Sequence, residues 1–262
     1  MRLAALPLVA ALIAPLPALA AGEMWISNEK DDTLSVIDIA TLEVVRTVPV
    51  GDRPRGITFS KDHSALYVCA SDSDAVQVVD PDTGEVLRNL PSGEDPEQFA
   101  LHPDDRRLYI ANEDDAITTV VDVESATVIA QIDVGIEPEG MAVSPDGSLA
   151  ITTSETTNMA HWIDTATESI VANTLVGQRP RHAEFRADGA ELWVSAEIGG
   201  TVHVFDVASK SEKALIEFAI PGVRPDRIQP VGVRFTPDDR TAFVALGPSN
   251  HVEVVNMKTY AV

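Results

Sequence analysis

One spacing constrains this chain more than any other feature. A Gly-x-x-Pro corner recurs as Gly51-Asp52-Arg53-Pro54, Gly93-Glu94-Asp95-Pro96, Gly135-Ile136-Glu137-Pro138 and Gly177-Gln178-Arg179-Pro180, its proline advancing by 42 residues each time. A fifth copy, Pro230-Val231-Gly232, follows after an insertion of 8 residues. A fixed period in this range means that one supersecondary unit is copied, and that neighbouring copies bury each other's faces.

Within the period, short strand signals replace any helical pattern. Each unit opens on an apolar run: Trp25-Ile26, Tyr67-Val68, Tyr109-Ile110, Ile151-Thr152, Trp193-Val194 or Phe243-Val244. Aromatic and β-branched residues of this kind suit a pleated strand. A second strand alternates apolar and polar residues (Leu34-Ser35-Val36, Val76-Gln77-Val78, Val202-His203-Val204). It stops at Asp38, Asp80, Asp122, Asp164, Asp206 or Asn256, with Ser or Thr three residues on, a pairing whose side chains bond nearby backbone amides in turns. A third strand leads to the corner and a fourth leaves it for turns such as Ser144-Pro145-Asp146-Gly147. Four short strands per 42 residues predict an all-β fold, a β-propeller of four-stranded blades. The chain supplies five complete units and two strands of a sixth, about five and a half repeats. The expectation is therefore one domain over residues 22–262, truncated at its C-terminus.

Residues 1–21 read as a signal peptide: Arg2, a proline-broken apolar stretch, then Ala18-Leu19-Ala20. No other stretch approaches the length of a membrane span. Cys69 stands alone, so no internal disulfide is expected. Nineteen basic against forty-one acidic residues give a net charge of −22, which argues against nucleic acid as a partner and favours a soluble monomer.

The residues Tyr109-Ile110-Ala111-Asn112, Val36-Ile37-Asp38 and Ser144-Pro145-Asp146-Gly147 resemble the YVTN β-propeller repeat, and the resemblance covers the chain after the signal peptide. With the export signal and Trp25-Ile26-Ser27-Asn28-Glu29, the chain is similar to the β-propeller proteins associated with PQQ (pyrroloquinoline quinone)-dependent catabolism. That resemblance implies a seven-bladed periplasmic protein acting beside quinoproteins and transporter components of alcohol oxidation. Quinoprotein dehydrogenases are propellers too, but their tryptophan docking motif and vicinal cysteine pair have no counterpart after Asp82-Thr83-Gly84-Glu85 or at Cys69. No cofactor is expected, and PQQ binding by this chain itself is not.

Strand direction puts the Gly-x-x-Pro corners and the loops between first and second strands on one face. The corners carry Arg53 and Arg55, Asp95 and Glu97, Glu137 and Glu139, Arg179 and Arg181; the loops add Glu29, Glu113, Glu155 and Glu197. These side chains are expected to ring the mouth of the central channel, as a rim that grips a small polar ligand or partner, or as solvated ion pairs between blades. His182 stands where other corners have Gly56, Gln98, Gly140 and Gly232, a position for a proton donor or ligand beside two arginines. The remaining histidines read as structural or exposed. No catalytic residue and no metal site are assigned. The expected function is that of a periplasmic, non-enzymatic binding or accessory protein. The alternatives are a lactonase-type propeller hydrolase and a protein–protein interaction propeller without a small ligand.

Overall fold

In the computed structural model, which describes residues 22–262, these signals resolve into six antiparallel sheets whose strands follow chain order. The signal-peptide assignment lies outside the described residues. Four sheets have four strands (residues 54–91, 96–133, 138–175 and 180–217), and two have three (residues 23–49 and 230–256). The propeller class holds, but five and a half units of a seven-bladed ring give way to six sheets. The reason is an offset of one strand. The strand after each corner pairs forward: Pro54–Phe59 joins Leu66–Ala70 and opens the second sheet.

The core lies between sheets. Trp25, Leu34, Val36 and Val48 of the first meet Leu66, Val68 and Val79 of the second. Trp193, Val202 and Val204 of the fifth meet Val233, Val244 and Leu246 of the sixth. Each such buried side chain contributes roughly 1.5–3 kcal/mol, which is why the alternating strands cannot slip by one residue. The predicted turns behave as expected: Asp38 Oδ1 accepts from the N–H groups of Ala40 at 2.9 Å and Thr41 at 2.8 Å. Among the described residues, no helix is long and apolar enough to cross a membrane.

Two irregularities recur with the period and shape the blades. A bulge interrupts pairing between the second-last and outermost strands at Val36/Ile37, Val78/Val79, Val120/Val121, Trp162/Ile163 and Val204/Phe205, and a bulge increases local twist. A second bulge follows the corner proline of each innermost strand, at Pro54/Ile57, Pro96/Phe99, Pro138/Met141, Pro180/His182 and Pro230/Val233. Arg55, Glu97, Glu139 and Arg181 sit in those bulged stretches, released from the strict alternation of the ladder. A bulge of this kind re-aims a side chain.

Candidate functional site: the channel mouth

The corner is clamped before any side chain is placed. Arg53, Asp95, Glu137 and Arg179 all adopt positive φ, between 46° and 59°, a conformation that costs a residue with a Cβ about 1–3 kcal/mol. Hydrogen bonds on both sides hold it. The Arg53 N–H donates to Asp32 Oδ1, that of Asp95 to Asp74 Oδ1 and that of Arg179 to Asn158 Oδ1, at 2.9–3.0 Å. The carbonyls of Arg53, Asp95, Glu137 and Arg179 accept from Ser71, Glu113, Glu155 and Glu197 respectively. The glycine opening the corner is tied as well: the Gly51 N–H donates to Gln77 Oε1 at 2.7 Å, that of Gly135 to His161 Nε2 at 3.0 Å, and that of Gly177 to His203 Nε2 at 2.9 Å.

On this frame the arginines and carboxylates form one chain of contacts from the first sheet to the fifth. Arg53 Nη1 bonds both oxygens of Asp95 (2.9 and 3.0 Å), while its Nη2 bonds Glu97 Oε1 at 2.8 Å. Its other neighbours are Glu29 at 3.5 Å and Asp72 at 3.6 Å. Arg55 spans Glu29 (3.2 Å), Glu97 (2.5 Å) and Glu139 (3.0 Å). Arg181 takes the same Glu139 Oε1 from the far side at 2.9 Å, bonds Glu155, and lies 3.7 Å from Glu197. Arg179 closes the series on Glu155 at 2.6 Å and Glu197 at 3.4 Å.

Glu97 and Glu139 are the buried members, 0% and 3% exposed. Burial, reinforced by the neighbouring Glu139, pushes the Glu97 carboxyl up to about 8. Burial likewise pushes Glu139 up to about 7, against the pull of Arg181 and Arg55. Glu113 is raised too, by burial first. All three shifts favour the protonated form of the carboxyl.

The expected rim residues thus come together with two departures. Glu137 makes no ion pair with the arginines among the described residues and accepts a hydrogen bond from the Thr156 hydroxyl. His182 borders the same cavity as Arg181, but its imidazole pairs elsewhere. The ladder resumes at His182, which pairs with Ser195, and its Nε2 lies 3.2 Å from Arg234 Nη1 and 3.4 Å from Glu184 Oε2. Asp95, Glu97 and Glu113 bring carboxylate oxygens within 4.8 Å of one another, close enough to hold a metal ion. Arg53 already bonds two of the three, so the guanidinium supplies the positive charge that an ion would otherwise bring. Between the arginine arms lies a cavity of about 360 Å³, walled by Ser27, Glu29, Arg55, Gln98, Glu139, Arg181 and His182 among others. Ser27 and Gln98 were not singled out from sequence; Gln98 alone had a signal, an amide in a column of glycines.

Fold and mouth together define a YVTN-type β-propeller with a charge-compensated polar opening. The chain belongs to the YNCE-like β-propeller family, whose model matches residues 2–215. Among solved structures, the chain is similar to the hydrazine synthase of Kuenenia stuttgartiensis, with a TM-score of 0.82 and 21% identity over 90% of this chain and 74% of that one. At that identity the likeness shows the fold alone. A comparison with curated proteins found no match.

Proposed function

We propose that this chain is a periplasmic, non-enzymatic binding or accessory protein of PQQ-dependent alcohol oxidation, and that it takes a small carboxylate at the channel mouth. One observation carries the ligand: Arg55 and Arg181 converge from two sheets on a single oxygen, Glu139 Oε1, at 3.0 and 2.9 Å. Glu139 is a carboxyl held up near 7. When it is protonated, the two guanidiniums lose a counter-charge and can grip an incoming carboxylate, the pairing for which their planar fork is shaped. The cavity beside them is large enough for a small organic acid. The setting rests on the family resemblance of the export signal and of residues 25–29.

Calorimetric titration with acetate and propionate at pH 6 tests the ligand. Binding is expected in the wild type, retained in Glu139→Gln, and weakened at least tenfold in Arg55→Gln/Arg181→Gln. Absence of binding to the wild type, or undiminished binding to a folded double variant, refutes it. The accessory role predicts co-elution with a purified PQQ-dependent alcohol dehydrogenase or a transporter component of the same periplasm. Lactone turnover abolished by Glu155→Gln or His182→Ala would overturn the non-enzymatic reading.

A further inference from the structure

Below the mouth the channel continues into a larger cavity of about 550 Å³. Gln98 and His182 line both spaces, which makes them contiguous. One column of the inner strands shapes the lower space. Thr58, Ala100, Ala142, Glu184 and Arg234 are equivalent positions, stepping by 42 residues with the insertion of 8 before the last. Each pairs with a large side chain of the neighbouring strand (Tyr67, Tyr109, Ile151, Trp193 or Phe243), and all five line the cavity. The first three are small and leave the lumen its volume. The fifth and sixth sheets instead place a carboxylate and a guanidinium there.

That polar corner is held in place and balanced in charge. Arg234 Nη1 donates to Glu184 Oε2 and lies 3.2 Å from His182 Nε2. The His182 N–H donates to Ser195 Oγ at 3.1 Å, and the Ser195 hydroxyl donates to the Val231 carbonyl at 2.6 Å, tying the fifth sheet to the sixth at this level. The remaining valences are open. Glu184 Oε1, Arg234 Nη2, His182 Nδ1 and the side chains of Thr58 and Gln98 make no hydrogen bond among the described residues. Lys61, at the floor, donates to the Pro103 carbonyl. A paired acceptor and donor are the complement of a hydroxyl, which both donates and accepts. A second carboxylate would meet Glu184 as a like charge.

The corner lies about three strand positions below the mouth, the step from Glu139 to Ala142, or roughly 10 Å at the rise of a β-strand. Ala100, Met141 and Ala142 give the wall beside that path an apolar surface. On the carboxylate reading of the mouth, on which this rests, we infer that the ligand is a hydroxycarboxylic acid with its hydroxyl far along the chain. Arg55 and Arg181 hold the carboxylate, the methylene chain runs past Ala100 and Ala142, and the hydroxyl donates to Glu184 Oε1 and accepts from Arg234 Nη2. An extended 6-hydroxyhexanoate, with its hydrogen bonds at both ends, has this reach.

The test is calorimetric titration of the purified protein at pH 6 with acetate, hexanoate, 6-hydroxyhexanoate and adipate. Hexanoate is expected to bind at least tenfold more tightly than acetate, because its chain leaves water for the lumen. 6-Hydroxyhexanoate is expected to bind at least fivefold more tightly than hexanoate, and adipate more weakly than 6-hydroxyhexanoate. Glu184→Leu/Arg234→Leu removes both hydroxyl partners without changing the net charge. It is expected to abolish the preference for the hydroxylated chain and to leave acetate affinity unchanged, with folding checked by melting temperature. Hexanoate no tighter than acetate, 6-hydroxyhexanoate no tighter than hexanoate, adipate as tight as 6-hydroxyhexanoate, or a hydroxyl preference that survives in the folded double variant overturns the inference. The wild-type series decides by itself if the double variant does not fold. Any of these results with acetate still bound leaves the mouth reading standing, whereas failure of all four acids to bind overturns both.

Discussion

Glu139 makes stability depend on pH in a direction opposite to that of an ordinary salt-bridged carboxylate. Burial raises its carboxyl from 4.5 to about 7 in the folded chain. Below pH 4.5 both folded and unfolded states carry the proton. Between 4.5 and about 7 the folded state keeps a proton that the unfolded chain has released, so stability falls as pH rises through that window. The displacement corresponds to roughly 3 kcal/mol at full ionisation. For a chain of this size that is roughly 6–12 °C in melting temperature. Glu97, raised to about 8, acts in the same sense and extends the window upward. Glu139→Gln keeps the shape and removes the titration. Wild type and variant are expected to melt alike at pH 5, and the variant to melt higher at pH 8.5. Calorimetric melts across that range decide the matter. A wild-type melting temperature that is flat or rises from pH 5 to 8.5, or a variant that keeps the full slope, refutes the burial argument.

Three further changes probe the frame. His161→Ala removes the acceptor of the Gly135 N–H and of a bond to Ser154, and is expected to cost about 1–3 kcal/mol in chemical denaturation; His161→Gln is expected to recover much of it, because Gln77 does the same work at Gly51. Tyr109→Phe deletes a fully buried hydroxyl bonded to both oxygens of Glu168, at 2.9 and 3.0 Å, and is expected to destabilise by about 1–2 kcal/mol in the same assay. Gly140→Ala would bring its Cβ to 2.5 Å from the Arg181 carbonyl and 2.8 Å from Thr153 Oγ1, and is expected to lower the melting temperature more than Gly232→Ala, which meets nothing within 4 Å.

The fold was legible because its signals are local and repeated: Asp38, Asp80 and their equivalents form turns whatever surrounds them, and the proline period counts the corners. The number of sheets was less so, since which side of a corner a strand pairs with is set by interstrand contacts rather than by the period. The rim residues were legible as columns, yet their partners were not. Arg55 reaches Glu139, 84 positions away, only because bulges in two inner strands release both side chains toward the same point. His161 and His203 looked scattered, although their register with Gln77 held the clue that all three serve the corner glycine. The polar corner of the lumen was visible only as a departure, Glu184 and Arg234 breaking a column that otherwise holds Thr58, Ala100 and Ala142.

The most direct test of proton-linked capture at the mouth is the pH dependence of acetate affinity between 5.5 and 8.5. If Glu139 must hold a proton for Arg55 and Arg181 to accept a carboxylate, affinity falls about tenfold or more as pH rises through 7, and Glu139→Gln abolishes the fall. An affinity independent of pH in the wild type, or a pH dependence that survives Glu139→Gln, contradicts it.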